Sequence, residues 1–155
     1  MLLHTSRFGS LDISEEEIFT FPSGLPGFES YRRYVILQQK EYDPFLFLQC
    51  VDNGELSFFL IDPFAIYPDY EVILDEPAKQ ELQAEEGDSR PSVLVYAIVS
   101  IRDSLEKATL NLMAPVVLNM EKKIGKQLIL HHSGYMTRHP LIPQATGQVP
   151  AKTEG

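Results

Sequence analysis

Cysteine, histidine and long apolar runs are all scarce in this sequence. Its 155 residues include one cysteine, Cys50, and no tryptophan. A single cysteine excludes an intrachain disulfide and any multi-cysteine zinc or iron–sulfur site. There are four histidines, with no HExxH or HxH spacing. His131 and His132 are adjacent, so on a strand they point to opposite faces and cannot grip one metal together. No apolar stretch approaches the ~18 residues of a membrane span. The opening Met1-Leu2-Leu3-His4-Thr5 lacks the basic region and long apolar stretch of a secretory signal. GxSxG, GxGxxG and GxxxxGK[ST] are missing, and with them the usual signals of hydrolases, dinucleotide enzymes and P-loop proteins. The expectation is a soluble protein of a reducing compartment, not an enzyme, with no cofactor and no metal.

Basic charge is scarce as well. Against 22 acidic residues stand 13 lysines and arginines, a net charge of −9. Residues 1–120 hold 8 basic and 20 acidic side chains, and residues 121–155 hold 5 and 2. The body therefore carries −12, which repels phosphate backbones, and no direct binding of nucleic acid is expected. Acidity of this kind keeps a protein soluble. It also speeds encounter with a basic protein partner.

What is present reads mostly as strands. The length fits one domain, able to bury about 68–70% of its unfolded-chain surface without staples. Gly9 is placed for a hairpin turn. Residues 12–21 alternate imperfectly and carry Asp12, Glu15, Glu16 and Glu17, which suits a solvent-facing edge strand. Short β-branched and aromatic runs over 34–37 and 45–48 predict strands. Asn53-Gly54 between residues 45–51 and 56–61 is the strongest hairpin signal. Residues 70–74 read as a further strand. One short helix follows, with Asp75-Glu76 as cap, Pro77 at its first position, Ala78 to Glu86 as its body and Gly87 past its end. Residues 93–99 are apolar on both strand faces and need cover on both sides. Strands over 109–113, 115–120 and 126–131 complete an all-β class with one short helix, a small antiparallel β-barrel-like domain of about nine strands. Residues 1–141 form the domain, and 142–155 read as a flexible C-terminal tail.

Candidate chemistry is thin. Cys50, mid-strand, reads as a packed thiol. Glu15 and Glu17 share a strand face, where exposure denies either the desolvation a general acid needs. Two loops stand out instead. In Leu25-Pro26-Gly27-Phe28 the proline presets φ and the glycine supplies positive φ, a type II turn. Leu25 and Phe28 then either pack back on the barrel or present a docking surface. Asp62-Pro63-Phe64-Ala65-Ile66-Tyr67-Pro68-Asp69-Tyr70 combines two prolines that disfavour pairing with three aromatics, so it covers a barrel end or offers its rings to a partner. Residues 69–88 hold eight acidic side chains against Lys79 alone.

These segments carry a resemblance. Residues 21–29, with Asp62-Pro63-Phe64 and Tyr67-Pro68-Asp69-Tyr70-Glu71, resemble the flagellar assembly factor FliW family. Asn111-Leu112-Met113-Ala114-Pro115-Val116-Val117-Leu118-Asn119 is similar to its NLxAPxVxN block. Gly125-Lys126-Gln127 is similar to GxQ, and Tyr135-Met136-Thr137-Arg138-His139-Pro140-Leu141 to YxTRHPL. The blocks occur in family order across roughly residues 5–141. The resemblance implies a small β-barrel-like protein of the bacterial cytoplasm without catalysis. It implies two partners, newly made flagellin and the RNA-binding translational repressor CsrA. CsrA represses flagellin translation while flagellin holds the family protein, and export of flagellin frees that protein to antagonise CsrA, allosterically. With that in view, Asp75, Glu76, Glu81 and Glu85 are candidates for attracting CsrA. Phe64, Tyr67 and Tyr70 are candidate anchors for flagellin, with strand addition at an open edge as another mode. Arg138 and His139 either bind a partner or pin the chain end onto the barrel. Asn111 and Asn119 read as satisfying turn or bulge backbone. The reading from another class is a small barrel holding a small ligand in its mouth.

Overall fold

The computed structural model describes residues 1–84, 93–131 and 133–142. Seven strands close on themselves: β3 (Phe19–Thr20), β4 (Arg33–Gln38), β5 (Leu46–Cys50), β6 (Ser57–Ile61), β7 (Val93–Ser100), β8 (Thr109–Asn119) and β9 (Ile124–Gln127). Neighbours from β3 to β9 pair antiparallel in chain order. The ring shuts where β9 meets β3 in parallel, Thr20 opposite Ile124. The expected antiparallel barrel thus has one parallel seam. Outside it lie the hairpin of β1 (Leu2–Thr5) and β2 (Gly9–Asp12) and the short β10 (His139–Pro140), which pairs with β8. Two helices are described rather than one: α1 (Pro63–Ile66) and α2 (Glu76–Leu82).

Period-two alternation sends one set of side chains inward. Tyr34, Leu48, Cys50, Leu60, Val116 and Leu118 fill the interior with Phe19, Phe21 and Leu25. A barrel this small encloses side chains rather than a channel. The recess at one mouth is about 170 Å³, below the ~300 Å³ where ligand pockets begin. Three further cores lie outside the barrel. The first hairpin packs Leu3 against Val35 and Val51. Helix α2 packs Ala78 and Leu82 against Val117 and Leu128. Segments 61–72 and 135–141 pack on Ala97, Val99, Leu110 and Leu112. Strand β8 is covered on both faces, which is why it reads as apolar on both, whereas β7 is buried at Ala97 and Val99 but leaves Leu94 41% exposed.

Several local expectations give way. Residues 12–21 do not form one strand. Ser14 caps a 3-10 turn over Glu15–Glu17 and closes a capping box, its amide donating to Glu17 Oε1 at 2.9 Å. That box outcompetes the imperfect alternation, and Glu15 and Glu17 share no strand face. Gly9 opens β2 at φ +71° instead of centring the turn, which spans residues 6–8. The Asn53-Gly54 hairpin forms, but Gly54 is needed for a close approach rather than for positive φ. A Cβ there would sit 2.0 Å from the His4 carbonyl oxygen, beside the bond from the Ser6 amide to the Gly54 carbonyl. Residues 71–75 lie outside any ladder, although Val72 and Leu74 turn toward α2. The strands expected over 109–113 and 115–120 are one, continuous through Pro115, whose carbonyl accepts from the Leu128 amide. Strand β9 stops at Gln127, short of the expected 131. Helix α2 ends at Leu82 because Gln83 takes a left-handed φ of 56°. The expected stop at Gly87 lies outside the described residues, as do His132 and the tail from 143.

Candidate partner-binding surface

The segment after β6 starts with a cap. Asp62 Oδ1 accepts from the Phe64 amide at 2.9 Å, and Pro63 occupies the first helical position, so α1 begins at once. Its single turn aims Phe64 outward, 39% exposed, against the Tyr70 ring at 5.6 Å. Tyr70 is buried, and its hydroxyl donates to the Leu112 carbonyl at 2.7 Å. Tyr67 is half-buried, and its hydroxyl donates to the Pro140 carbonyl. Burial pushes the Tyr67 hydroxyl pKa up to about 12 and raises that of Tyr70 as well. Both phenols therefore stay protonated donors. Of the three aromatics expected as anchors, only Phe64 presents its ring; Tyr67 and Tyr70 brace the segment against the chain end.

His139 belongs to the same brace. It is buried, its Nε2 accepts from the Met136 amide at 2.9 Å, and its ring faces those of Tyr67 and Tyr135. Burial lowers its pKa, so the ring is held neutral. His139 pins the chain end; Arg138, beside it, is exposed. Leu25 is 1% exposed within the barrel core, so it packs back rather than docks. The type II turn itself is present, with Gly27 at φ +88° and the Phe28 amide donating to the Leu25 carbonyl at 2.7 Å. Phe28 is partly exposed and stacks edge-on to Phe58.

The acidic candidates divide. Asp75 is exposed and caps α2 through Oδ1, which accepts from the Ala78 amide at 2.9 Å. Glu76 is exposed, 3.6 Å from Lys79. Glu81 is committed inward, bonded to Lys126 at 2.9 Å and Ser23 at 2.6 Å. Burial pushes its carboxyl pKa up, but the Ser23 and Lys126 hydrogen bonds outweigh that and leave it below the ordinary value. Glu81 holds α2 to β9. Glu85 lies outside the described residues. Ile73, outside the candidate groups named from sequence, is 78% exposed between the exposed Glu71 and Asp75. Its signal is the alternation of residues 70–75, which puts Tyr70, Val72 and Leu74 inward and an isoleucine on the polar side. Asn111 Oδ1 accepts from the Met113 and Ala114 amides where β8 slips against β7. Asn119 Oδ1 accepts from Glu121 and Lys122, and its Nδ2 donates to the Leu82 carbonyl at 2.8 Å. Both asparagines satisfy backbone. Among the described residues no three His, Cys, Asp or Glu side chains converge as metal ligands, and no helix is long and apolar enough to cross a membrane.

Fold and surface together define a small closed β-barrel, braced outside by its helices and chain end, whose connecting segments expose apolar side chains such as Phe64 and Ile73 beside carboxylates. Residues 2–141 match the family model described as FliW protein. The chain is 39% identical to the flagellar assembly factor FliW of Desulfitobacterium hafniense (strain DSM 10664 / DCB-2), covering 96% of this chain and 95% of that protein. It is 38% identical to the flagellar assembly factor FliW of Bacillus subtilis (strain 168), covering 91% and 96%. A crystal structure of the flagellar assembly factor FliW superposes with a TM-score of 0.84 at 36% identity, over 92% of this chain and 98% of that one. The chain belongs to the FliW family, and a role in flagellar assembly follows from that membership.

Proposed function

We propose that this protein acts in the cytoplasm by binding flagellin and by binding the repressor CsrA directly, so that flagellin synthesis follows flagellum assembly. The observation that carries the reading is the family match over residues 2–141 joined to a surface suited to protein partners. Exposed Phe64 offers an apolar anchor, and exposed Asp69, Glu71, Asp75 and Glu76 surround an exposed Ile73. An RNA-binding repressor is basic where it meets phosphate, so an acidic face attracts it and disfavours its bound RNA. Residues 1–141 are the working domain.

Calorimetric titration with flagellin, with CsrA and with both in turn tests the proposal. Saturable binding of each is expected, with flagellin altering the CsrA isotherm. Heat from neither partner at micromolar protein would end the reading. Within the flagellin arm, Phe64→Ala should weaken binding by about 1–2 kcal/mol, the cost of truncating an exposed aromatic anchor. Unchanged affinity in a folded variant would place the anchor elsewhere. Alanine at Tyr67 or Tyr70 does not test binding cleanly, because their rings and hydroxyls hold the fold.

A further inference from the structure

Strand β7 is paired along its whole length on one side only. It meets β8 from Val93 to Ser100 but β6 only at Ala97, Ile98 and Val99. Position 63 would stand opposite Val95, and it is proline. It has no N–H to donate, and its preset φ starts α1, which ends the ladder although the helix stays beside β7. The register identifies the groups left over. The Leu128 amide donates to the Pro115 carbonyl, so Pro115, Val117 and Asn119 direct their backbone groups toward β9. Val116 and Leu118 then face β7, where their partners are Tyr96 and Leu94. Val93 and Val95 must therefore turn their N–H and C=O to the other side. Among the described residues, no backbone hydrogen bond meets them there.

That side opens on a groove of about 860 Å³, whose walls include Asp43, Leu46, Asp62, Phe64, Val95 and Tyr96. Exposed sheet edges are ordinarily blunted by lysine, proline or an inward charge. Val93-Leu94-Val95-Tyr96 has none of these, and Leu94 is partly exposed at the rim. Among the described residues, the groove's charges are two carboxylates. Asp43 and Asp62 form no ion pair among the described residues.

We propose that this edge takes up an extended, cationic segment of another protein as an added strand. The backbone of Val93 and Val95 supplies the ladder, at the ~4.8 Å spacing of neighbouring strands. Phe64 and Leu94 receive apolar side chains, and a lysine or arginine of the incoming segment lies against Asp43 and Asp62. The inference concerns how a segment is held and does not depend on which protein supplies it.

The test uses the full-length protein and a synthetic peptide, acetyl-Lys-Val-Thr-Val-Lys-Val-Thr-Val-amide, with backbone amide exchange read by NMR during titration. Saturable binding is expected, with exchange at the Val93 and Val95 amides slowed about tenfold or more. The same peptide N-methylated at alternate residues on its pairing edge should bind at least about tenfold more weakly. Asp43→Lys, at an exposed position, should weaken binding about fivefold. No saturable binding, protection away from Val93 and Val95, or equal affinity of the N-methylated peptide would overturn the proposal. So would a concentration-dependent dimer that protects the same two amides without peptide, since the edge would then serve a second copy of this chain.

Discussion

At the scale of single residues, buried polar atoms set the terms. The Tyr34 ring lies inside the barrel, edge-on to Phe21 at 5.1 Å, and its hydroxyl has no partner among the described residues. Desolvation without a compensating bond costs about 1–3 kcal/mol. Tyr34→Phe keeps the ring and removes the orphan, so urea denaturation should show equal or greater stability; a loss above about 1 kcal/mol would mean that the hydroxyl is used. His139 is satisfied at only one of its two ring nitrogens, since its buried Nδ1 has no partner among the described residues. Its Nε2 takes the Met136 amide, and burial holds its folded-state pKa below the ordinary 6.5. The unfolded chain therefore binds the proton more readily, and the stability this ring contributes is complete above pH 6.5 and lost as pH falls through the folded-state value. His139→Gln should cost about 1–3 kcal/mol near neutral pH. The gap to wild type should narrow in denaturation series taken toward pH 5. A gap constant across that range would show that protonation of His139 is not linked to unfolding.

At the scale of elements, α2 is held by little. Two apolar side chains, Ala78 and Leu82, are buried under it; Glu81 ties it to Lys126 and Ser23, and Asn119 catches its last carbonyl. Leu82→Ala should cost about 2–5 kcal/mol by urea denaturation. A loss under about 1 kcal/mol would show that the helix stabilises the barrel very little. The elements also show what the sequence made legible. Asp75 as cap, the Leu25–Phe28 turn and the inward alternation of β4 to β8 are local chemistry, and local chemistry reads directly. The burial of Tyr70 and His139 is not local. It depends on residues 135–141 returning to a segment some 70 positions earlier, and no pattern around either residue records that. The alternation over 70–74 was readable, but a strand also needs a neighbour, and none is described there. Half of the candidate surface was therefore visible as exposed loop chemistry. The other half, Leu25, Tyr67, Tyr70, Glu81 and His139, carries the same residue types in positions that brace the fold.

At the scale of the whole molecule, charge becomes a prediction about rates. Residues 1–120 carry −12, but a field acts on a partner only through charges that remain exposed. Glu81 is spent on Lys126, and Arg33 is paired with Asp52. Asp69, Glu71 and Glu76 are left on the outer face beside Ile73, with Lys79 as their near cation. Steering falls off within a Debye length of about 8 Å at physiological salt, so only carboxylates near the contact contribute strongly. Replacing Glu71 and Glu76 with lysine changes the local charge by four without touching a buried group. Under the proposed binding of CsrA, stopped-flow association should then slow several-fold at low salt, and the rates of variant and wild type should converge as salt rises. Dissociation should change less, because rim charges act chiefly on encounter. The apolar neighbour gives the contrasting result: Ile73→Ala should raise the dissociation rate and leave the salt dependence of association intact. If charge reversal leaves the association rate unaltered across the salt series, this face does not steer the proposed encounter with CsrA, and its acidity serves solubility alone.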